Sequence, residues 1–268
     1  MDQKTFDKFK DLINEKSGIP LGPQKVALVS ARVGKRLRAL GIDDYNAYLD
    51  MVAKDESGNE LVQLLDAIST NVTSFFREAA HFGIMEELLR KWKAQGQTRY
   101  RIWCAASSTG EEPYCLAMTA LEALKDCRGL DLRILATDIS TRVLEIARRG
   151  EYPADKVEAV PPALRSQYFE RRNGTAGNVY QACDILKRLI SFNRLNLSTP
   201  PYAMEGPFDI VFCRNVMIYF DNAVRTKLLR EVHRLLRPSG YLMIGHSESL
   251  TGINVPFHSR QPAVYQKG

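Results

Sequence analysis

Two adjacent carboxylates, Glu111 and Glu112, follow a turn of small residues at 105–110. A short, β-prone run at 99–106 precedes the turn, and an amphipathic helical pattern follows it. Such a strand, turn and helix opens a nucleotide-binding fold, in which the ligand lies over the carboxyl end of the strand. Two carboxylates there would repel a pyrophosphate, because a phosphate site offers bare N–H groups and a positive helix end. The pair therefore favours a cationic ligand, such as the ammonium group of an amino acid or of S-adenosylmethionine.

A structural interpretation of the acid pair stays open at this point. Acids in a first helical turn also complement the helix dipole, and the turn lacks the usual G-x-G. We expect Thr109 to cap the helix and Pro113 to fit its first turn, where a missing N–H costs nothing.

A third carboxylate, Asp138, ends the run DLRILATD at 131–138, which predicts the second strand. An acid at the end of the second strand of a nucleotide fold typically binds the ribose hydroxyls. The two acidic positions together predict one site at the carboxyl edge of a sheet.

Helices and strands alternate from His81 onward. Helices are predicted at 82–92, 142–149 and 223–236, the last one stopped by Pro238 and Gly240, and strands at 99–106, 131–138, 190–195, 208–213, 241–245 and 263–266. This rhythm predicts an α/β fold with a mostly parallel, two-sided sheet. Between 151 and 189, prolines and a Gly-rich loop interrupt it, and two strands at 168–172 and 178–182 predict a small antiparallel subdomain.

Residues 1–70 have only helical patterns, with helices predicted near the N-terminus and at 24–40, 45–52 and 60–68. A basic stripe on the second of these helices consists of Lys25, Arg32, Lys35 and Arg36. It is either a solvated face or a docking surface for an acidic partner. The segment 69–78, STNVTSFFRE, joins this region to the rest, and its two phenylalanines predict a packed linker over a ligand or a clasp between domains.

The amino-acid composition limits the classes of protein to which this chain could belong. The 268 residues are 45% hydrophobic and 25% charged, with five scattered cysteines and four histidines without metal-ligand spacing, so disulfide and zinc interpretations are disfavoured. Residues 1–78 carry 11 basic and 12 acidic residues, a net charge of −1, and the remainder carries +7, which gives the total of +6. The sequence has neither a spanning apolar run nor a signal-like N-terminus, and we expect a cytoplasmic protein.

Five motifs occur in order: N-x-T-x-F-F-R-E at 71–78, S-S-T-G-E-E-P-Y at 107–114, T-D-I at 137–139, F-D-I-V-F-C-R-N-V-M-I-Y-F at 208–220 and G-H-S-E at 245–248. Together they closely resemble the chemotaxis receptor methyltransferases, the CheR family, over essentially the whole chain. The resemblance implies a small all-α N-terminal domain (1–70), a packed linker (71–80) and a class I S-adenosylmethionine-dependent methyltransferase domain (81–268) with an inserted β-subdomain. It further implies methyl transfer from S-adenosylmethionine to glutamates on the cytoplasmic helices of chemoreceptors, which gives S-adenosylhomocysteine.

The resemblance also assigns roles by position. It implies that the cofactor is bound by Asn71, Thr73, Arg77, Glu112, Asp138, Asn196, Leu197, Arg214 and Asn215. Glu112 matches the acid that holds the methionine end, Asp138 the ribose acid, and Asn196 with Leu197 a pair lining the adenine pocket. Asn71, Thr73 and Arg77 match linker residues that lie over the cofactor, and Tyr219 lies nearby and faces the reaction centre. No metal is implied.

The partners that the resemblance implies are glutamate-rich receptor helices, for which the basic stripe is the candidate docking surface. Some members also grip a C-terminal receptor peptide with the hairpin. Here the hairpin loop at 171–177 aligns as slightly shorter than in enteric members, which leaves peptide binding open. We expect a monomer that neither binds nucleic acid nor inserts into a membrane.

The chemistry agrees with a site that lacks an acid–base pair. A glutamate side chain, with a reference pKa of about 4.3, is already ionised at neutral pH and needs no base to attack a sulfonium methyl group. The site must align oxygen, carbon and sulfur and exclude water from two reactants whose charges cancel. Arg77 could orient the carboxylate, or it could be a structural clasp to an acid of the fold.

Two other functions compete with this one. A nucleic-acid methyltransferase is suggested by the basic charge, but amino-directed DNA enzymes carry an N/D-P-P-Y-type turn where this chain has Cys213-Arg214-Asn215-Val216. A non-catalytic sensor of S-adenosylmethionine would keep Glu112 and Asp138 and would not need Arg77 or Tyr219.

Overall fold

The computed structural model describes residues 1–69, 71–174 and 177–268. The N-terminal part is helical and consists of α1 (Gln3–Ser17), α2 (Val26–Leu40), α3 (Tyr45–Lys54) and α4 (Asn59–Ile68). The helices enclose a core of their own, in which the Phe9 and Tyr48 rings stack at 6.2 Å between centroids. A single 3₁₀ turn, Pro23–Lys25, precedes α2, so the α-helix begins two residues later than predicted.

The remaining elements alternate between helix and strand. They are α5 (Ala80–Ala94), β1 (Arg99–Cys104), α6 (Glu111–Ala123), β2 (Asp131–Asp138), α7 (Thr141–Arg149), β3 (Glu151–Pro153), α8 (Ala154–Val157), α9 (Pro162–Tyr168), β4 (Phe169–Gly174), β5 (Gly177–Ala182), α10 (Asp184–Lys187), β6 (Ile190–Arg194), β7 (Phe208–Cys213), α11 (Asn222–Leu235), β8 (Leu236–Ile244), β9 (Phe257–Gln261) and β10 (Val264–Lys267).

Seven strands form the main sheet in the order β6-β2-β1-β7-β8-β10-β9. The first five are parallel, while β10 runs antiparallel to both β8 and β9. A core lies on each face, one around α5 and α6 and the other around α11. This arrangement confirms the predicted parallel, two-sided sheet, in which apolar runs such as FDIVFC are buried along their whole length.

The register brings four strand ends to one edge of the sheet. Cys104 of β1 pairs with Ala136, two residues before Asp138 ends β2. On the other side, Cys213 at the end of β7 pairs with Ile244 at the end of β8. Asp138 ends β2, and the segments that follow β1 and β7 carry Glu112, Arg214 and Asn215, so the parallel sheet collects these residues at its carboxyl edge.

The predicted antiparallel subdomain is present as a three-stranded sheet in the order β3-β5-β4. Two of its strands were expected, and β3 was missed because it has three residues and ends in Pro153. The hairpin tip, residues 175–176, lies outside the described residues, so the predicted shortening of this loop is not addressed by the structure.

The helix α11 ends at Leu235, before Pro238 and Gly240 as predicted and one residue short of the predicted end. Both residues lie within β8, which begins at Leu236 and not at the predicted residue 241. The pairing of β7 with β8 shifts register between Phe208 and Ile210. Such an irregularity leaves room for a proline in a strand. The edge strand β9 was missed because four of its five residues are exposed and it has no apolar alternation.

Within the described residues, no helix combines the length and the apolar character needed to cross a bilayer.

Candidate active site

An open cavity lies between α2 and the carboxyl edge of the main sheet. It brings together every residue that the resemblance assigned to the cofactor or the reaction: Asn71, Thr73, Arg77, Glu112, Asp138, Asn196, Leu197, Arg214, Asn215 and Tyr219. These residues come from five separate stretches of chain. The cavity is therefore the candidate active site.

The turn after β1 reaches the cavity through a glycine. Gly110 has φ of 98° and is the N-cap of α6, which begins at Glu111. A Cβ at this position would lie 2.7 Å from the Tyr152 hydroxyl and 2.8 Å from the Ala147 Cβ. The prediction that Thr109 caps α6 is therefore wrong: the backbone needs a left-handed residue there, and the Thr109 hydroxyl donates to Glu111 instead.

The two adjacent carboxylates have different surroundings. Glu111 is fully buried and forms an ion pair of 2.5 Å with Lys156 of α8. Glu112 is 14% exposed, lines the cavity and accepts a hydrogen bond of 2.6 Å from Arg214 Nη1. The first acid thus anchors the inserted subdomain, and the second is the one available to a ligand.

Arg214 is a buried cation between two carboxylates. Its side chain is 1% exposed, and Nη1 contacts Glu112 while Nη2 lies 3.0 Å from Glu78 Oε2 and also donates to the Arg77 carbonyl. Burial by itself would lower the pKa of Arg214, but the two carboxylates outweigh burial and raise it. This guanidinium connects the linker, the start of α6 and the end of β7. It also lines the cavity in which a ligand would bind.

Asp138 is held by the backbone of two loops. Its Oδ2 accepts from Ser108 N–H at 2.8 Å and its Oδ1 from Ser140 N–H at 3.0 Å. Burial raises the pKa of Asp138, and these N–H groups partly offset that effect. Each carboxylate oxygen has a second lone pair with which it could accept a ribose hydroxyl.

The linker packs against the inserted subdomain. Phe75 is 2% exposed, and its ring makes edge contacts with Tyr152 and Phe169 at centroid distances of 4.9 and 5.6 Å. Phe76 and Glu78 both have positive φ, 52° and 54°. Side chains other than glycine adopt this region at a cost that the surrounding packing must offset, and such positions cluster at functional sites.

The segment after β7 is shaped by one carboxylate. Asn215 has φ of 55°, and Glu248 accepts from the N–H groups of Asn215, Gly245 and Ile218 at 2.9, 2.7 and 3.2 Å. These bonds place the single 3₁₀ turn Met217–Tyr219 beside the cavity. Burial raises the pKa of Glu248, with the backbone N–H groups opposing it.

Asn196 and Leu197 form part of the cavity wall at the loop after β6. The Asn196 side chain donates to the Lys16 carbonyl at 2.7 Å and accepts from Ser198 N–H at 3.0 Å. Asn196 therefore connects this wall to α1 of the helical region.

Two family models match the chain. The one described as the all-alpha domain of CheR methyltransferases matches residues 4–69, and the one described as their SAM-binding domain matches residues 71–265. The chain belongs to the CheR family. It is an S-adenosylmethionine-dependent enzyme that methylates glutamates of chemoreceptors, the function of this family.

The chain is similar over nearly its whole length to curated CheR relatives. It is 39% identical to the chemotaxis protein methyltransferase of Salmonella typhimurium over 97% of this chain and 88% of that protein. The corresponding protein of Escherichia coli is 37% identical over 97% of this chain and 89% of that one. Chemotaxis protein methyltransferase 2 of Pseudomonas aeruginosa is 37% identical over 92% of this chain and 87% of that protein.

The four residues of the basic stripe have different surroundings in the structure of this CheR chain. Lys25 and Arg32 line the cavity, and the Lys25 ammonium lies 5.9 Å from the centre of the Tyr219 ring. Arg32 donates to the carbonyls of Ile68 and Ser69. Lys35 is exposed. Arg36 does not line the cavity, because it forms an ion pair of 2.5 Å with Glu60.

Several residues around the CheR site have no role predicted from the sequence. Glu78 and Glu248 belong to the quoted motifs, and each holds backbone or side chains at the site. His81 and His246 lack metal-ligand spacing in the sequence, yet their rings lie 4.9 Å apart. The R-E and G-H-S-E motifs are the available signals for Glu78, His246 and Glu248, and His81 lies in neither motif.

Proposed function

We propose that this chain binds S-adenosylmethionine in the cavity below α2, with its methionine end at Glu112 and its ribose at Asp138. The proposal rests above all on the convergence of Glu112, Asp138 and Arg77 on one cavity. Glu112 and Asp138 are the carboxylates that line this cavity, beside the cations Lys25, Arg32, Arg77 and Arg214. The ammonium group of the cofactor fits Glu112, whose carboxylate faces the cavity.

The bound cofactor supplies an electrophilic methyl group, whose carbon–sulfur bond breaks toward sulfur as a new carbon–oxygen bond forms to the substrate carboxylate. The products are a glutamate methyl ester and S-adenosylhomocysteine, and no proton is transferred. The chain therefore has to orient and desolvate the reactants rather than exchange protons with them.

We assign the orientation of the substrate carboxylate to Arg77. Its guanidinium is exposed at the cavity and is held by a bond of 3.1 Å from Nη1 to the Val72 carbonyl. Because that partner is a neutral carbonyl, the positive charge stays available to a carboxylate. Tyr219 lies on the same cavity wall as Asn215 and is assigned to the contact with the reacting groups.

We assign the exclusion of water to the linker and to an apolar rim of the cavity, which consists of Leu28, Val72 and Ile218. Leu28 and Val72 line the cavity and are 43% and 79% exposed, and Ile218, next to Tyr219, is 53% exposed. A substrate helix that covers these side chains would remove water from the carboxylate and from the sulfonium group.

The partners we propose are the cytoplasmic glutamate-rich helices of chemoreceptors, which places the reaction in the cytoplasm. Lys25, Arg32 and Lys35 offer a basic approach on α2, to which Arg36 contributes less because Glu60 pairs with it. Binding of a receptor C-terminal peptide by the β-subdomain is a separate proposal. We also propose that the enzyme acts as a monomer.

Transfer of labelled methyl groups tests this function. The purified protein is given labelled S-adenosylmethionine with a receptor cytoplasmic fragment, the same fragment with its target glutamates changed to glutamine, or tRNA. We expect base-labile label in the first fragment alone. Label in tRNA would favour the nucleic-acid alternative, and cofactor binding without transfer to any acceptor would favour a sensor.

A further inference from the structure

The guanidinium of Arg214 is shared by two carboxylates with different positions. Glu112 Oε2 lies 2.6 Å from Nη1 and faces the cavity, whereas Glu78 Oε2 lies 3.0 Å from Nη2 on the linker side. Burial alone would raise the pKa of Glu78, but the hydrogen bond and charge of Arg214, together with Asn215 and His246, outweigh it and the pKa is lowered, so Glu78 is ionised at neutral pH. The three side chains therefore carry a net charge of −1.

Glu78 also reaches the loops that follow β7 and β8. Its Oε1 accepts from Asn215 Nδ2 at 3.3 Å, and its Oε2 accepts from the His246 N–H at 3.3 Å. The carboxylate is 15% exposed and sits on a residue with φ of 54°. A backbone strained in this way is held by its surroundings, and the bonds of Glu78 join the linker to two site loops.

A bound metal ion is the competing explanation of this cluster. The ligating atoms of Glu78, His81 and His246 lie within 4.8 Å of one another, and both ring nitrogens of buried His81 lack a hydrogen-bond partner. However, a cation there would share the Glu78 carboxylate with the Arg214 guanidinium, which lies 3.0 Å from it, and the two positive charges would repel each other. The observations therefore favour Arg214 as the partner of Glu78.

We propose that Glu78 is a positioning residue for methyl transfer, which holds the Arg214 guanidinium against Glu112 and sets the negative charge that favours S-adenosylmethionine over S-adenosylhomocysteine. The proposal rests on the placement of the cofactor at Glu112 given above. S-adenosylmethionine carries one positive charge more than its product, so a change in the charge of the cluster acts on it more strongly. A purely structural role would weaken both ligands alike.

The test compares Glu78→Gln with Glu86→Gln, a matched loss of charge on the exposed face of α5, where Glu86 pairs with Arg90. Calorimetry gives the dissociation constants of S-adenosylmethionine and S-adenosylhomocysteine for each variant. For Glu78→Gln we expect about a tenfold weaker binding of S-adenosylmethionine and at most a threefold change for the product. Both constants of Glu86→Gln should match the wild type. Equal weakening of both ligands by Glu78→Gln would overturn the proposal.

Glu112→Gln separates this inference from the function on which it rests. If Glu112→Gln weakens S-adenosylmethionine and Glu78→Gln does not, the role of Glu78 is wrong and the cofactor placement stands. If neither variant changes affinity, both are wrong. Zinc that binds the wild type with micromolar affinity and is lost in His81→Gln would also overturn the proposal in favour of a metal site.

A shorter carboxylate keeps the proposal testable should Glu78→Gln fail to fold. Glu78→Asp keeps a carboxylate but, being shorter, holds the negative charge farther from Arg214 and from the cavity, so that this charge acts less on S-adenosylmethionine. We expect S-adenosylmethionine binding to weaken at least threefold, with a smaller change for the product. Wild-type affinities in a folded Glu78→Asp protein would contradict the proposal.

Discussion

At the scale of single residues, Arg77 separates binding from chemistry. Its guanidinium is held by a carbonyl of its own linker and not by an acid, which argues against the structural clasp considered from the sequence. An arginine that aligns a carboxylate mainly in the transition state affects turnover rather than cofactor binding.

We therefore expect Arg77→Ala to lower kcat about 100-fold, or about 2.7 kcal/mol in activation free energy. The affinity for S-adenosylmethionine should change by less than about threefold. Single-turnover methylation and calorimetry measure the two effects, with Arg90→Ala on the exposed face of α5 as a control. A loss of affinity in proportion to the loss of turnover would reduce Arg77 to a cofactor clamp.

His81 should make the folded protein sensitive to acid. Burial first, and then the charges of Arg214 and His246, lower the pKa of His81 from 6.5 to about 4, although Glu78 acts in the opposite direction. The unfolded chain therefore takes up this proton at a higher pH than the folded one. The stability that neutral His81 contributes is present above pH 6.5 and is lost as the pH falls toward 4.

Between pH 7 and pH 5 this single group should cost the wild type about 2 kcal/mol of unfolding free energy. His81→Phe, which cannot titrate, should lack that part of the loss. Urea unfolding of both proteins at the two pH values gives the difference. Parallel losses in the two proteins would mean that His81 is already protonated, or solvated, in the folded state.

The residue patterns predicted that the carboxylates of Glu112 and Asp138 lie at the site. They did not predict the contacts of Glu78, Arg214 and Glu248 that support it. Glu112 and Asp138 follow strands directly, so their positions at the edge of the sheet follow from chain order. Glu78 and Arg214 are 136 residues apart, and Glu248 acts on backbone N–H groups 33 and 30 residues away. Sequence spacing has no signal for such contacts, and motif membership alone marked them.

At the scale of elements, the end of β8 supports the site through close backbone packing. A Cβ on Gly245 would lie 2.5 Å from Asn215 Nδ2 and 3.0 Å from both Asn215 N and Glu248 Oε2. The Asn215 side chain would have to move if the glycine is replaced, and the Asn215 backbone and the Glu248 carboxylate would be crowded.

We expect Gly245→Ala to weaken S-adenosylmethionine binding at least tenfold, or by about 1.4 kcal/mol. Gly83→Ala is the control, since Gly83 lies in α5 and a Cβ added there would have no neighbour within 4 Å. That change should leave binding unchanged and stabilise the protein slightly. Unchanged binding by Gly245→Ala would show that the loop adapts without cost.

The elements that the sequence predicted well are those with an unbroken apolar pattern. β2 and β7 have the predicted bounds, and α4 and α7 each begin one residue before the predicted start. β3 and β9 have no comparable pattern, because β3 is only three residues long with one buried side chain and β9 is mostly exposed, and both pair with neighbouring strands. Pairing with neighbouring strands in the folded protein, and not local sequence preference, therefore determines that these two strands form.

At the scale of the whole molecule, the helical region closes the cavity. Asn196 donates to the α1 carbonyl of Lys16, 180 residues away, and Asp66 of α4 accepts from Thr141 and from Arg142 N–H at the start of α7. The sequence placed the basic helix and the cofactor site in separate domains. It could not show that Lys25 and Arg32 lie on the wall of the same cavity.

This placement refines the test of the basic stripe. The double change Arg32→Glu/Arg36→Glu would reverse two charges of the stripe, but it would also remove the bonds of Arg32 to the end of α4 and the Arg36–Glu60 pair. Lys35 is exposed, and the contacts described for Arg32 and Arg36 do not involve it. Lys35→Glu therefore changes the surface charge with the least effect on packing.

We expect Lys35→Glu to lower the initial rate of receptor methylation about threefold at low ionic strength, mainly through the on-rate. The defect should shrink at high salt, because charges separated by more than a Debye length of about 8 Å at physiological strength are screened. Lys54→Glu, the same charge change on an exposed residue of α3, is the control. Affinity for S-adenosylmethionine should stay unchanged in both variants. If the two variants have equal rates at low salt, the stripe is a solvated helix face, and the receptor must dock on the apolar rim around Leu28, Val72 and Ile218 instead.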